Sequence, residues 1–190
     1  ASIPAWVFEH KGQPRAAVGF SFGLLLAALA RLELLPDPSA EIEAAIQTMR
    51  EQQATLAPEV PAARNPAKRL AGQLVERWVT VFGSGILAPV ARRWKGQISE
   101  LAKAWAQFEF LPEADHNTLA GTLNPEELLA RFIALFLVCP SDHPRNRLRS
   151  DLTRQAMMLE GINSDTVEAR GDTPLAQWVE SAAAQPGFDR

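Results

Sequence analysis

The sequence predicts an α/β protein in which a parallel sheet lies between two layers of helices. Two short apolar segments, WVTVFG at 78–83 and RFIALFLV at 131–138, are typical of buried strands because turn or polar residues bound them. Predicted helices alternate with the predicted strands, which favours a parallel sheet covered on both faces. Hydrophobic residues make up 47% of the 190 residues, enough for a sizeable core. We therefore expect a three-layer, doubly wound parallel sheet.

The part of the chain before residue 60 is predicted to hold one strand and two helices. The predicted elements are a strand at 5–8, a helix at 15–35 and a helix at 39–56. The helix at 15–35 is apolar almost all round, so we expect it to be buried, and Pro36 and Pro38 to end it. Ser39 is the expected N-cap of the next helix.

A proline-rich segment, APEVPAARNP at 57–66, marks the best internal boundary and divides the chain into 1–60 and 61–190. Asn65 is expected to cap a helix that has Pro66 at its first position. The elements predicted after it are a strand at 78–83, a helix at 86–105, strands at 108–111 and 131–138, a helical turn at 116–121, a helix at 144–160, a strand at 165–171, and a helix at 174–184 capped by Thr173.

The charge and composition argue against several classes of partner. A net charge of −3 gives no basic surplus for nucleic acid, and no apolar run is long enough to span a bilayer. The N-terminal segment has neither the basic start nor the apolar stretch of a signal peptide. Cys139, the single cysteine, is expected to be a reduced core thiol of a cytoplasmic protein. His10 and His143 have no metal-ligand spacing with each other or with Cys139, so we predict no metal.

Two polar residues flank the predicted strand at 108–111. Glu100 lies on the predicted helix 86–105, and His116 follows it sixteen positions later. A carboxylate and an imidazole can serve as a base and an acid in one site. Spacing alone favours simpler interpretations: a solvated glutamate that pairs with Lys103, and a loop histidine held by Asp115.

The segments around Glu100 and His116 favour a catalytic role for these two residues. NPAKRLAGQLVERW at 65–78, VFGSGILAPVARRWKGQISELAK at 81–103 and LPEADHN at 111–117 resemble the C-terminal half of the bifunctional phosphoglucose/phosphomannose isomerases. That family is a branch of the sugar isomerase (SIS) superfamily. The resemblance covers roughly residues 60–120 well and the rest more loosely. It implies a C-terminal SIS domain at 61–190, preceded by the end of another SIS domain at 1–60.

The resemblance also implies roles for individual residues. Glu100 matches the base that removes the proton beside the substrate carbonyl. His116 matches the histidine that opens the sugar ring, and the family brings it from the neighbouring subunit, which implies a homodimer with a shared site. Arg15 matches an arginine that stabilises the enediolate, although it could equally be a helix-start arginine bound to backbone or surface carboxylates. Gly83, Ser84 and Gly85 form a strand–turn–helix that the family places near the sugar.

One departure from the family pattern concerns the last helix. The family carries a lysine there that is thought to help ring opening, and its position falls near Ala182 in the segment TPLAQWVESA. No lysine occurs after Lys103. Either another cation substitutes, or the activity is weakened or lost.

The resemblance implies an aldose–ketose isomerase that needs no metal or redox cofactor. It would interconvert glucose 6-phosphate with fructose 6-phosphate through a cis-enediolate, and the sequence leaves mannose 6-phosphate open as a second substrate. The alternatives are a non-catalytic SIS module that binds sugar phosphates, and a purely structural half of a larger subunit. The family's phosphate-binding loop would lie in a first SIS domain, so the chain is expected to be a fragment or a truncated paralogue that is incomplete as an enzyme.

Overall fold

The computed structural model of the chain describes residues 5–14 and 17–183. By its internal contacts the chain divides into two compact units, one ending at Ala40 and the other beginning at Glu41. The domain boundary at residues 60 and 61 stays a prediction.

The first unit contains one helix, α1 (Val18–Arg31), and no strand among its described residues. The strand predicted at 5–8 was therefore wrong. A strand needs a neighbour to pair its N–H and C=O groups, and this unit offers none. Its aromatic residues instead contact α1: Phe8 stacks on Phe20 with ring centroids 4.9 Å apart.

Helix α1 is shorter and more exposed than its sequence predicts. It ends at Arg31 because Glu33 takes a left-handed conformation (φ 58°). Leu34 N then donates to Leu29 O and Glu33 N to Ala30 O, each at 3.0 Å, which is the hydrogen-bond pattern of a Schellman motif. The prediction of a buried helix was wrong, since none of its residues is buried. A unit this small has no second layer to cover the apolar surface.

The second unit forms an α/β sheet domain, as predicted. Its helices are α2 (Ser39–Leu56, which begins just before the unit), α3 (Pro66–Leu74), α4 (Ala88–Gln97), α5 (Glu113–His116), α6 (Glu126–Leu129), α7 (Pro144–Leu159) and α8 (Pro174–Ala183). Its strands are β1 (Trp78–Gly83), β2 (Ala106–Phe110), β3 (Phe132–Val138) and β4 (Asn163–Glu168). Strand β1 has the bounds that the sequence predicts, whereas α5 and α6 were not foreseen.

The four strands are all parallel and lie in the order β2-β1-β3-β4. The chain moves from β1 to β2 in one direction and then crosses back to β3 on the other side. The carboxyl ends of β1 and β3 therefore form the point where the winding direction reverses, which is where open α/β sheets bind ligands.

Alternate residues of the central strands point to opposite layers. Val81 and Leu135 belong to one core cluster, which they share with Trp94 of α4. Phe82 and Phe136 belong to the other cluster and stack with ring centroids 4.7 Å apart. Residues of α3, α4 and α8 contribute to the first cluster, and Met157 of α7 to the second. The sheet is thus the middle of three layers, as predicted.

Several element ends differ from the predictions. Helix α4 begins with a 3₁₀ turn (Gly85–Leu87) and continues into a π-helical turn (Ile98–Ala102). It stops before Trp105 because Lys103 is left-handed (φ 55°). Asn65 caps α3 as predicted, since its side chain accepts a hydrogen bond from Lys68 N at 3.1 Å. Ser39, expected as an N-cap, is already the first residue of α2.

In the described part of the chain, no helix has the length and hydropathy needed to cross a membrane.

Candidate functional site

The turn after β1 requires glycine at both ends. A Cβ on Gly83 would lie 2.5 Å from the carbonyl oxygen of Leu87. Gly85 has a left-handed φ of 50°, and a Cβ there would lie 2.5 Å from Asp142 Oδ1. The turn therefore packs closely against Leu87 and Asp142. It lies where the direction of the strand order in the sheet reverses.

Between these glycines, Ser84 is 2% exposed, and its hydroxyl donates a hydrogen bond to Asp142 Oδ2. Asp142 follows β3, so this bond joins the carboxyl ends of the two central strands. The other oxygen of Asp142 accepts hydrogen bonds from His143 N at 2.8 Å and Asn146 Nδ2 at 3.2 Å. The carboxylate thus fills the space between the turn and the start of α7.

A buried glutamine extends this network to α8. Gln177 Oε1 accepts a hydrogen bond from Ser141 N at 3.0 Å, and its Nε2 donates to Gly171 O at 2.6 Å. The loops after β3 and β4 are therefore tied to the same helix. Neither Asp142 nor Gln177 was among the predicted site residues. A polar residue just after a buried strand, as in the segment SDHP, is a signal that could have indicated Asp142.

Glu100 lies in the π-helical turn that ends α4, and it is exposed. Lys103 Nζ donates a hydrogen bond to the backbone carbonyl of Glu100 at 2.6 Å. Because the helix of a parallel β–α–β unit runs opposite to its strands, Glu100 lies near the amino end of the sheet. A π-helical turn is often found at functional positions.

His116 ends α5, on the other side of β2 from Glu100, and it is also exposed. The neighbouring carboxylate of Asp115 accepts a hydrogen bond from Thr153 Oγ1 at 2.6 Å. Within residues 5–14 and 17–183, no hydrogen-bond partner is found for the ring of His116. The ring therefore remains available to another molecule.

The predicted site residues do not meet within one subunit. Sixteen helical residues separate Ser84 from Glu100, which corresponds to roughly 24 Å along the helix axis. Strand β2 lies between Glu100 and His116, and its five residues extend for roughly 16 Å. Arg15 lies outside the described residues. The shared site that the resemblance implies, with Glu100 and His116 from two subunits, stays a prediction.

Arg93 lies next to the position where the family pattern has a lysine. Its Nε donates a long hydrogen bond of 3.4 Å to the carbonyl of Ala182, and Trp94 Nε1 donates to Ser181 O at 2.8 Å. Burial lowers the pKa of the Arg93 guanidinium, and the negative charge of Glu100 acts against that shift. Arginine stays charged at any cellular pH, so a cation is present at this place.

Cys139 is buried, as predicted. Burial raises the pKa of its thiol, although backbone hydrogen bonds from Asp142 and Ser141 oppose this. The thiolate, which is the reactive form, is therefore disfavoured. This agrees with a core thiol.

A groove of about 1090 Å³ lies between α2, α3 and β4. Neither Glu100, His116 nor Ser84 lines it. The groove therefore gives no support to the predicted site, because none of these three residues lies in it.

The order of the sheet and the glycine turn at its winding reversal define a doubly wound α/β domain of the kind found in SIS-domain sugar isomerases. A glucose-6-phosphate isomerase-like protein from Thermus thermophilus has the same fold, with a TM-score of 0.64 at 24% identity over 86% of this chain and 57% of that chain. The model of the bacterial phospho-glucose isomerase C-terminal SIS domain matches residues 63–184. The chain belongs to this family.

Two relatives are called bifunctional phosphoglucose/phosphomannose isomerase. The protein from Caldicellulosiruptor bescii is 35% identical over 168 residues, which are 87% of this chain and 49% of the relative. The protein from Aquifex aeolicus is 31% identical over 165 residues, or 87% of this chain and 47% of the relative. The chain thus spans about half the length of the curated relatives it matches.

Proposed function

We propose that the chain is the C-terminal part of an aldose–ketose isomerase that interconverts glucose 6-phosphate and fructose 6-phosphate. The observation that carries this proposal is the similarity over 168 residues to a bifunctional phosphoglucose/phosphomannose isomerase, at 35% identity. That similarity spans the segments in which the sequence predicts Glu100 and His116 to be catalytic residues.

Glu100 is the proposed base. Its carboxylate removes the C2 proton of the open-chain aldose and returns it to C1, while a proton passes from the C2 hydroxyl to the C1 oxygen, so that the cis-enediolate becomes the ketose. Exposure of Glu100 at the end of α4 leaves the carboxylate accessible to a substrate. Arg15 is the proposed partner of the negative charge that develops on the enediolate oxygens.

His116 of the partner subunit is the proposed ring-opening group. It moves a proton from the anomeric hydroxyl to the ring oxygen before isomerisation, and histidine suits this because it exchanges protons in both directions near neutral pH. The separation of Glu100 and His116 along β2 supports a site that is shared between two subunits of a homodimer. The role of the Gly83, Ser84 and Gly85 turn near the sugar stays a prediction, because roughly 24 Å along the helix separates Ser84 from Glu100 of the same subunit and the Ser84 hydroxyl is bound to Asp142.

The second candidate is an SIS module that binds sugar phosphates without turning them over. Alanine at position 182, where the family pattern has a lysine, favours it. Coupled assays of the full-length protein on glucose 6-phosphate and mannose 6-phosphate distinguish the two. Turnover of glucose 6-phosphate supports the isomerase, and turnover of both substrates extends it to mannose 6-phosphate. Saturable binding of both without turnover supports the module instead.

A further inference from the structure

His116 ends a helix that has only a single turn. Helix α5 (Glu113–His116) contains four residues, and isolated helices shorter than about 12–15 residues are at best marginally stable in water. The position of α5 therefore depends on its contacts with the rest of the domain. The same contacts set the position of His116, whose side chain is exposed.

One side of α5 is buried in the apolar layer between α7 and the sheet. Ala114 is 0% exposed and belongs to the core cluster that contains Phe82, Phe136 and Met157 of α7. Successive residues of an α-helix lie about 100° apart around its axis. With Ala114 directed inward, His116, two positions later, is therefore directed outward. A single methyl group is a small contact, so a second one is needed to fix the rotation of the turn.

A hydrogen bond from α7 supplies this second contact. Thr153 Oγ1 donates to Asp115 Oδ1 at 2.6 Å, and Asp115 directly precedes His116. The other side-chain bond of α5, from Asn117 Nδ2 to Glu113 Oε1 at 2.8 Å, stays within the same turn. Among the described residues, the bond to Thr153 is thus the side-chain hydrogen bond that links α5 to another layer of the domain.

Thr153 lies on the buried face of α7, a helix of 16 residues. It is 3% exposed, and Met157, one turn later, belongs to the same apolar cluster as Ala114. A buried hydroxyl costs free energy unless it is hydrogen-bonded. Threonine in a helix can satisfy this need with a carbonyl of its own helix, but Thr153 donates to Asp115 instead. The long helix therefore supports the single turn.

We propose that Thr153 is a positioning residue for the ring-opening step and that it acts through Asp115. Its hydrogen bond fixes the rotation of α5, and so places the imidazole of His116 where it reaches the anomeric hydroxyl and the ring oxygen of the sugar. This inference rests on the proposed function, in which His116 opens the ring.

Interconversion of the α and β anomers of glucose 6-phosphate tests this role, because it needs ring opening and no transfer of the C2 proton. All variants are made in the full-length protein that carries Glu100→Gln, so that the proposed base is absent. Exchange spectroscopy by NMR measures the catalysed rate above the spontaneous one. Thr153→Val, which replaces the hydroxyl by a methyl group, should slow it about tenfold or more, since a misplacement of about 1 Å can cost about 10²-fold.

Two further variants separate the hydrogen bond from packing. Thr153→Ser keeps a hydroxyl and should restore most of the rate. Ser150→Ala is the matched control, because Ser150 is also buried, at 4% exposed, and lies three positions earlier on the same face of α7. No hydrogen bond joins the Ser150 hydroxyl to α5 within the described residues. The rate in Ser150→Ala should therefore be unchanged.

A double-mutant cycle tests whether Thr153 and Asp115 act through one bond. Asp115→Ala removes the acceptor and should slow anomer exchange as Thr153→Val does. Residues in direct contact have non-additive effects, so the variant with both changes should be about as slow as the slower single variant. Effects that multiply instead would contradict the shared bond.

His116→Ala distinguishes a failure of this inference from a failure of the proposed function. If His116→Ala abolishes the catalysed exchange and folded Thr153→Val keeps the native rate, the role of Thr153 is wrong and that of His116 stands. If His116→Ala leaves the exchange unchanged, or if the protein with native His116 catalyses none, His116 is not the ring opener and both fail.

Loss of folding has its own control. Circular dichroism and a thermal melt establish folding for each variant, and Thr153→Ala replaces Thr153→Val if the latter does not fold. If neither variant folds, Thr153 is a structural residue of α7 and the proposal is rejected.

Discussion

Glu100 and His116 lie on opposite sides of strand β2, one in the turn before it and the other at the end of the helix after it. The length of the strand keeps the two side chains apart within a subunit. The proposed reaction uses both residues and takes them from two different subunits, so the interface between subunits is part of the proposed mechanism.

Mixed dimers should recover activity if the site is shared. Full-length Glu100→Gln and His116→Ala are each expected to be nearly inactive. After subunit exchange, a heterodimer contains one site with both native residues, so activity should return towards half of the native value per dimer. The measurement is the isomerase rate of the mixture, with exchange verified by differently tagged subunits. Verified exchange without any recovery would show that the two residues do not act across the interface.

The 190-residue chain alone should fold but turn over hexose phosphate slowly or not at all. It spans about half of its relatives, and binding energy from remote parts of a substrate is what positions the reacting carbon. The measurement compares kcat/KM of this chain with that of the full-length protein. Equal values would mean that these 190 residues contain the whole site.

The hydrogen bond between Ser84 and Asp142 should contribute measurably to stability. Ser84→Ala removes one donor from a buried carboxylate, so the free energy of unfolding should fall by about 1–3 kcal/mol. The matched control is Ser141→Ala in the loop after β3, where an exposed hydroxyl is removed and a change within about 0.5 kcal/mol is expected. Urea denaturation measures both variants. Similar values for the two would show that the hydroxyl of Ser84 is not engaged in solution.

Two glycines near the start and end of α4 should respond to alanine with opposite signs. At Gly83 the new methyl group would meet the backbone of Leu87, so Gly83→Ala should destabilise by about 1–3 kcal/mol. At Gly96, inside α4, a methyl group meets nothing within 4 Å. Gly96→Ala should therefore stabilise by about 0.5–1 kcal/mol, since alanine restricts the unfolded chain and favours helix. Equal and small effects at both positions would contradict the close packing of the turn after β1.

Local signals in the sequence were sufficient for several elements. The bounds of β1 follow from an apolar run that ends in a glycine turn, and the cap of α3 follows from Asn65 followed by Pro66. These signals lie within a few residues of the structure they determine. Strands alternating with helices likewise predicted the parallel, three-layer sheet.

Features that depend on distant contacts were not predictable in this way. The partner of Ser84 lies 58 positions away, so no local pattern pairs Ser84 with Asp142. The apolar character of α1 shows that it can be buried, but not which surface would cover it. The sequence singled out Glu100 and His116, whereas their separation within one subunit follows only from the path of the chain around β2.

The central claim, that Glu100 is the base of a sugar-phosphate isomerase, is tested most directly by exchange of the substrate C2 proton with solvent. A general base contributes about 10²–10⁴-fold to the rate of proton transfer. Glu100→Gln in the full-length protein should therefore slow this exchange by about that factor while the sugar phosphate still binds. Proton NMR in deuterated buffer follows the loss of the C2 signal of glucose 6-phosphate. Near-complete loss of exchange with retained binding is the predicted result, and exchange at the native rate would contradict the assignment of Glu100.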